Sequence, residues 1–129
     1  MKFINPKDIA PPQGLYSHIV KAPSGTELLF ISGQLGIMPD GSTPDTIEGQ
    51  ADQVFSNIVS ILKSQSLTVV NIVKLTTFIV AGQDGLAVRK ARLKYLGAHR
   101  PASTAVYVSQ LVDPAWFVEV EVVVSSNTD

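Results

Sequence analysis

The chain has 129 residues, enough for one domain with its own core, and a composition of 45% hydrophobic and 16% charged residues excludes a disordered polymer. Ten basic against eleven acidic residues leave a net charge of −1, so there is no surplus of cations to neutralise a run of phosphates, and nucleic acid is excluded as the first partner to consider. No cysteine occurs, which removes disulfides, thiolate nucleophiles and cysteine zinc sites together.

Met1 to Pro12 holds Lys2 and Lys7 but no apolar stretch of signal-peptide length, and no later apolar run is long enough to span a bilayer. The reading is a cytoplasmic protein, residues 1–129 forming a single domain, with no membrane partner. A short strand is expected at Lys2–Asn5. Tyr16–Lys21 and Glu27–Gln34 are apolar-rich runs separated by Ala22-Pro23-Ser24-Gly25, which predicts a hairpin. Met38 to Pro44 is dense in turn formers and predicts an exposed loop. A helix follows. Asp45 suits its N-cap, Glu48 suits a capping box, and Ile47, Ala51, Val54, Phe55, Ile58, Ile61 and Leu62 recur at helical spacing. Gln50, Asp52, Gln53, Asn57, Ser60 and Lys63 fall largely on the other side, expected to meet water, and the helix is expected to end near Gln65 or Ser66.

Ile72–Val80 is β-branched and aromatic and predicts a strand, with Ile72, Lys74, Thr76 and Phe78 on one face and Val73, Leu75, Thr77 and Ile79 on the other. Asp84 suits the N-cap of a second helix running to about Leu96, with Leu86, Leu93 and Leu96 as its buried stripe and Gly97 as a left-handed cap. Arg89, Lys90, Arg92 and Lys94 are read as its solvated face. Two final strands, Ala102–Leu111 and Trp116–Ser125, are joined by a turn through Asp113-Pro114. This order predicts an α+β layer with both helices on one face of the sheet. Val106, Val108, Val120 and Val122 suggest that the other face is too apolar to be left in water, which predicts self-association.

The last strand carries the most chemistry. Period-2 alternation puts Phe117, Glu119, Glu121 and Val123 on one side and Val118, Val120, Val122 and Val124 on the other, so two carboxylates project from an otherwise apolar strand. A carboxylate held among apolar neighbours can take a proton from water and return it, the role hydrolysis asks of a general base; pairing with a cation at a subunit contact is the structural alternative. His18 sits two residues from Tyr16 and is expected to share its face. His99 reads as loop or interface. No spacing of His with Asp or Glu resembles a metal motif, no Gly-rich phosphate loop occurs, and Ser-Gly-Gln lacks the elbow pattern of a hydrolase nucleophile.

Gly14-Leu15-Tyr16, Ile31-Ser32-Gly33-Gln34, Pro101-Ala102 and Val118-Glu119-Val120-Glu121, in this order over nearly the whole chain, resemble the reactive intermediate deaminase family, RidA or YjgF. The resemblance implies a chorismate-mutase-like fold with a single sheet of about six strands and a homotrimer with a barrel-like centre. It also implies clefts between neighbouring subunits, in which an enamine or imine is hydrolysed to its 2-oxo acid with release of ammonia. By that resemblance Glu119 positions the attacking water and Tyr16 lines the cleft, with Ser32, Gly33, Thr104, Ala105 and Glu121 around a small-molecule ligand and no cofactor. The family's carboxylate-binding arginine follows Pro-Ala directly, and here that residue is Ser103. A serine hydroxyl supplies neither charge nor a bidentate fork, so substrate anchoring is expected to differ, with Arg100 and His18 the replacements to consider. The alternative is a trimeric binding or sensor protein that holds a small metabolite without turnover.

Overall fold

A computed structural model describes all 129 residues. In chain order the elements are β1 (Lys2–Ile4), β2 (Ile19–Lys21), β3 (Leu28–Leu35), α1 (Ile47–Ser64), β4 (Ile72–Val80), α2 (Gly85–Leu96), β5 (Ala102–Val108) and β6 (Val118–Ser125). Both helices pack on one face of a mixed four-stranded sheet of order β3-β6-β4-β5, the α+β arrangement expected; the other two strands, β1 and β2, form a separate antiparallel pair.

The hairpin expected around Gly25 does not form, and the last two strands do not pair across the Asp113-Pro114 turn. β2 pairs with β1 rather than β3, and β3 pairs with β6 across nearly the whole chain. β5 runs parallel to β4, with α2 as the crossover that a parallel pair requires. β6 does not fold back on β5 but inserts between β3 and β4, where both its edges are hydrogen-bonded. The valines explain that place. Val118, Val120, Val122 and Val124 are all buried beneath the helices, which suits the centre of the sheet. Val120 and Val122 therefore belong to the core and not to the outer face. The uncovered face is built from Phe30, Phe78, Val106 and Val123, interspersed with Lys74, Thr76, Glu119 and Glu121.

A bulge between Ile72 and Lys74 shifts the register of β4, so Ile72 joins Leu75, Thr77 and Ile79 among the buried residues instead of sharing the face of Lys74. Thr46, not Asp45, caps α1: its Oγ1 accepts from the Gly49 N–H at 3.1 Å. Ile47, Ala51, Val54, Phe55, Ile58 and Leu62 form the expected buried stripe of that helix. Two residues assigned to its wet side are structural. Gln50 is fully buried, its Nε2 donating to the Pro44 and Ala115 carbonyls at 2.9 and 2.8 Å, while its Oε1 accepts from the Phe117 N–H at 2.8 Å. Asn57 Nδ2 donates to the Leu35 and Ile37 carbonyls. Between these contacts lies Gly36, where a Cβ would stand 2.7 Å from the Gln50 Cα, so only glycine lets the end of β3 meet the helix this closely. No helix is long and apolar enough to cross a membrane.

Candidate functional site

Asp84 caps α2 as expected, its Oδ1 accepting from the Leu86 N–H at 2.9 Å, and Gly97 ends the helix at φ 56°. The phase of the helix differs from the expected one. Leu86 is 72% exposed and Leu93 41%, whereas Val88, Ala91 and Leu96 are buried. Val88, Arg92 and Leu96 are spaced i, i+4, i+8, so Arg92 lies in the inward stripe between two buried aliphatic residues.

Arg92 is thus not a solvated cation. Its guanidinium reaches the edge of the sheet, Nη1 donating to Ser103 Oγ at 2.9 Å and Nη2 to the Leu15 carbonyl, while Nε is buried without a partner. Burial, and then repulsion from Arg100 and Arg89, lowers its pKa to about 10, which leaves it cationic at neutral pH. The only ion pair in the chain joins Lys94 to Asp52 on the surface, so Arg92 has no counter-charge within its own chain.

Beside this guanidinium opens a cavity of about 500 Å³. Tyr16, Phe55, Thr77, Val88, Ser103 and Ala105 contribute to its wall. The register explains why Ser103 and Ala105 face it: they pair with Leu75 and Thr77 of β4, which point toward the helices. Of the residues expected at a site, Tyr16, Ser103 and Ala105 meet here, and Thr104 contributes to the rim. The Thr104 hydroxyl lies on the other face, accepting from Lys74 Nζ at 2.8 Å.

Glu119, Glu121, Ser32 and Gly33 are instead on the opposite face of the sheet. Glu119 pairs in register with Phe78, one residue out of phase with Thr77 and Ile79, so its side chain points away from the helices. The register between β3 and β6 breaks between Ile31 and Gln34, and the resulting bulge contains Ser32 and Gly33. Glu119 lies over that bulge: a Cβ on Gly33 would stand 2.5 Å from its Oε2. A side chain at position 33 would displace the Glu119 carboxylate, so glycine leaves the space that the carboxylate occupies. Glu119 is half-buried and in no ion pair. Glu121 and Ser32 border a separate shallow groove of about 290 Å³ on the same face, with Phe30, Lys74 and Thr76.

His18 and Arg100 line neither surface. The His18 ring stands edge-on to Tyr16 at 6.0 Å, its Nδ1 buried without a partner. Arg100 folds onto its own turn and donates to the Gly97 and His99 carbonyls, away from the cavity that holds Ser103. His99 Nε2 bonds the Ile72 carbonyl at 2.7 Å, and burial lowers its pKa. No group of three His, Asp or Glu side chains converges on a metal-binding geometry. The residue that sequence reasoning missed is Arg92, and its signal was its place four residues from Val88 and from Leu96.

Residues 7–126 match the family model described as Endoribonuclease L-PSP. The chain is 33% identical over 104 residues to a RutC family protein of Pyrococcus horikoshii, covering 78% of this chain and 79% of that one. It is 32% identical over 100 residues to the chloroplastic Reactive Intermediate Deaminase A of Arabidopsis thaliana, covering 76% of this chain and 52% of the relative. Its fold superimposes on YyfB, a Rid family protein of Yersinia pestis, with a TM-score of 0.83 at 26% identity over 95% of this chain and 96% of the other. With the model matching nearly end to end, and the Glu119 carboxylate and the Ser32-Gly33 bulge meeting on one sheet face, this chain belongs to the RidA/YjgF family.

Proposed function

We propose that the protein hydrolyses a small reactive enamine or imine and releases ammonia. The site is a cleft formed where the helix-side cavity of one copy meets the Gly33–Glu119 surface of the next, in a homotrimer with a barrel-like centre. The observation that carries this reading is the position of Glu119: a half-buried carboxylate in no ion pair, lying over a bulged glycine, on the opposite sheet face from the cavity that holds Tyr16, Ser103 and Ala105. Two groups on opposite faces of one sheet can serve one ligand only if they come from different copies. The outer face also invites such an assembly, since Phe30 is 76% exposed and Val106 41%.

In the proposed cleft Glu119 accepts a proton from water as the water oxygen adds to the C=N carbon. That proton passes to the imine nitrogen to complete the carbinolamine. Glu119 then takes the carbinolamine hydroxyl proton and delivers it to the amino group as the C–N bond breaks and C=O forms, so the products are ammonia and the 2-oxo compound. Thr77 and Tyr16 at the cavity wall offer hydroxyls for orientation. A ribonuclease reading, which the name of the family model invites, finds no support in ten cations against eleven acids. The test generates imines in the assay from amino acids with an amino-acid oxidase and follows ammonia release above the buffer rate. Ligand binding with no such acceleration would leave a binding protein in place of the hydrolase.

The assembly has its own check. Light scattering at micromolar concentration is expected to give three times the mass of the chain. Phe30→Glu, which sets a charge on the most exposed apolar side chain of the outer face, is expected to yield monomer. A wild-type monomer, or a Phe30→Glu trimer, would count against this interface.

A further inference from the structure

The unpaired cation of the cavity identifies the ligand it is built for. We infer that Arg92, carried by α2 and braced by Ser103 and the Leu15 carbonyl, is the carboxylate anchor of this site, and that the ligand is a monocarboxylate with an apolar side chain, a 2-imino or 2-oxo acid of that class. The inference takes its location from the cleft proposed above, and its test reads binding rather than turnover, so the two fail separately.

Three observations support it. A half-buried guanidinium, with Nε buried and unbonded and with no carboxylate of its own chain beside it, lacks the counter-charge that a partly desolvated cation favours. The groups that do face it, Ser103 Oγ and the Leu15 carbonyl, are neutral acceptors; they fix its direction but not its charge. Arg89 also borders the cavity and Arg100 acts on Arg92 through space, so three cations and no acid set the field at this end, and an anion is what they favour. Serine at position 103 then has a purpose. The short side chain leaves the edge of β5 open for an arginine arriving from the helix, and its hydroxyl accepts one of that arginine's protons.

The other end of the cavity is apolar. Phe55, Ile79, Val88 and Ala105 form its wall, and past Ile79 and Ala105 it continues into a second hollow of about 300 Å³ that reaches Leu86 and Tyr107. The charged side chain in that second hollow is Asp84, which would repel a second carboxylate. A branched or aromatic side chain fits these walls better than a methyl group, which leaves them wet, or a second acid.

Calorimetry with 4-methyl-2-oxopentanoate, the stable oxo counterpart of such an imine, tests the assignment. The wild-type protein is expected to bind it more tightly than pyruvate or 2-oxoglutarate, and to bind its neutral amide about 10- to 100-fold more weakly. Arg92→Gln should weaken binding of the acid by the same factor and leave the amide unchanged, while Lys90→Gln on the exposed side of α2 should alter neither. If Arg92→Gln does not fold, Arg92→Lys is read instead: it keeps the charge but loses the fork, and about a tenfold loss is expected. Equal affinity for acid and amide, or unchanged affinity in both Arg92 variants, overturns the anchor. Tighter binding of pyruvate or 2-oxoglutarate overturns the apolar side chain. Were Arg92 instead the ion-pair partner of Glu119 from a neighbouring copy, its loss would lower the melting temperature of the oligomer without changing affinity for the acid, which also overturns the proposal.

Discussion

Glu119→Gln is expected to lower ammonia release from a generated imine by about 10²- to 10⁴-fold, the usual worth of a positioned general base, while ligand affinity changes much less. The amide keeps the volume that Gly33 leaves open, so the bulge need not move. What it loses is the capacity to take a proton from water. A second measurement follows from the placement of the two half-sites. Ala105→Phe fills the helix-side cavity and should also abolish turnover, yet it leaves the outer face intact. When the two inactive proteins are dissociated, mixed in equal amounts and reassociated, some clefts combine the cavity of a Glu119→Gln chain with the carboxylate of an Ala105→Phe chain. Random assembly makes about a quarter of the clefts fully native, and about that share of wild-type turnover should return. No recovery from a mixture shown by mass to contain mixed trimers would mean that both half-sites act within one chain, contrary to their positions on opposite faces. A Glu119→Gln protein with full activity would retain the enzyme and discard Glu119 as its base, leaving Glu121 to be tested next.

Gln50→Leu is expected to be strongly destabilising. Its amide satisfies three backbone groups, the Pro44 and Ala115 carbonyls and the Phe117 N–H, in a fully buried position that water cannot reach. Leucine has similar bulk but no polar atoms. The three groups would be left unpaired, each at a cost of about 1–3 kcal/mol, so a loss of roughly 3 kcal/mol or more is expected by urea denaturation at one fixed protein concentration. Ser60→Leu, on the exposed side of the same helix, should change stability by less than about 0.5 kcal/mol. The loss also has a functional reading. Gln50 ties α1 to the segment that enters β6, two residues before Glu119, so a protein that survives the change should lose turnover along with stability. A Gln50→Leu protein as stable as the wild type would mean that the freed backbone groups find other partners.

The amino-acid sequence by itself determined the two faces of β6, the ends of α2 and the buried stripe of α1. Alternation along β6 put Glu119 and Glu121 on one face and four valines on the other, and the structure has them so. Asp84 and Gly97 marked the ends of α2, and the stripe from Ile47 to Leu62 marked the buried side of α1. The motifs around Tyr16, Gly33 and Glu119 were enough to indicate the family. Spacing along one element cannot say which strand lies beside which. Short turns near Gly25 and Pro114 suggested hairpins, but the pairing of β6 with both β3 and β4 depended on which strand could be buried on both edges. Nor did it settle the phase of α2, where Leu86, Val88, Ala91, Leu93 and Leu96 offer apolar positions on more than one side. Only tertiary packing, chiefly of α2 against α1, chose the side that carries Arg92 inward to Ser103, eleven residues away in sequence and 2.9 Å away in space. The site followed from that choice. Helical period tells which residues share a face, but the surface that covers the face belongs to a distant part of the chain, and the contact between the two exists only once the chain has folded.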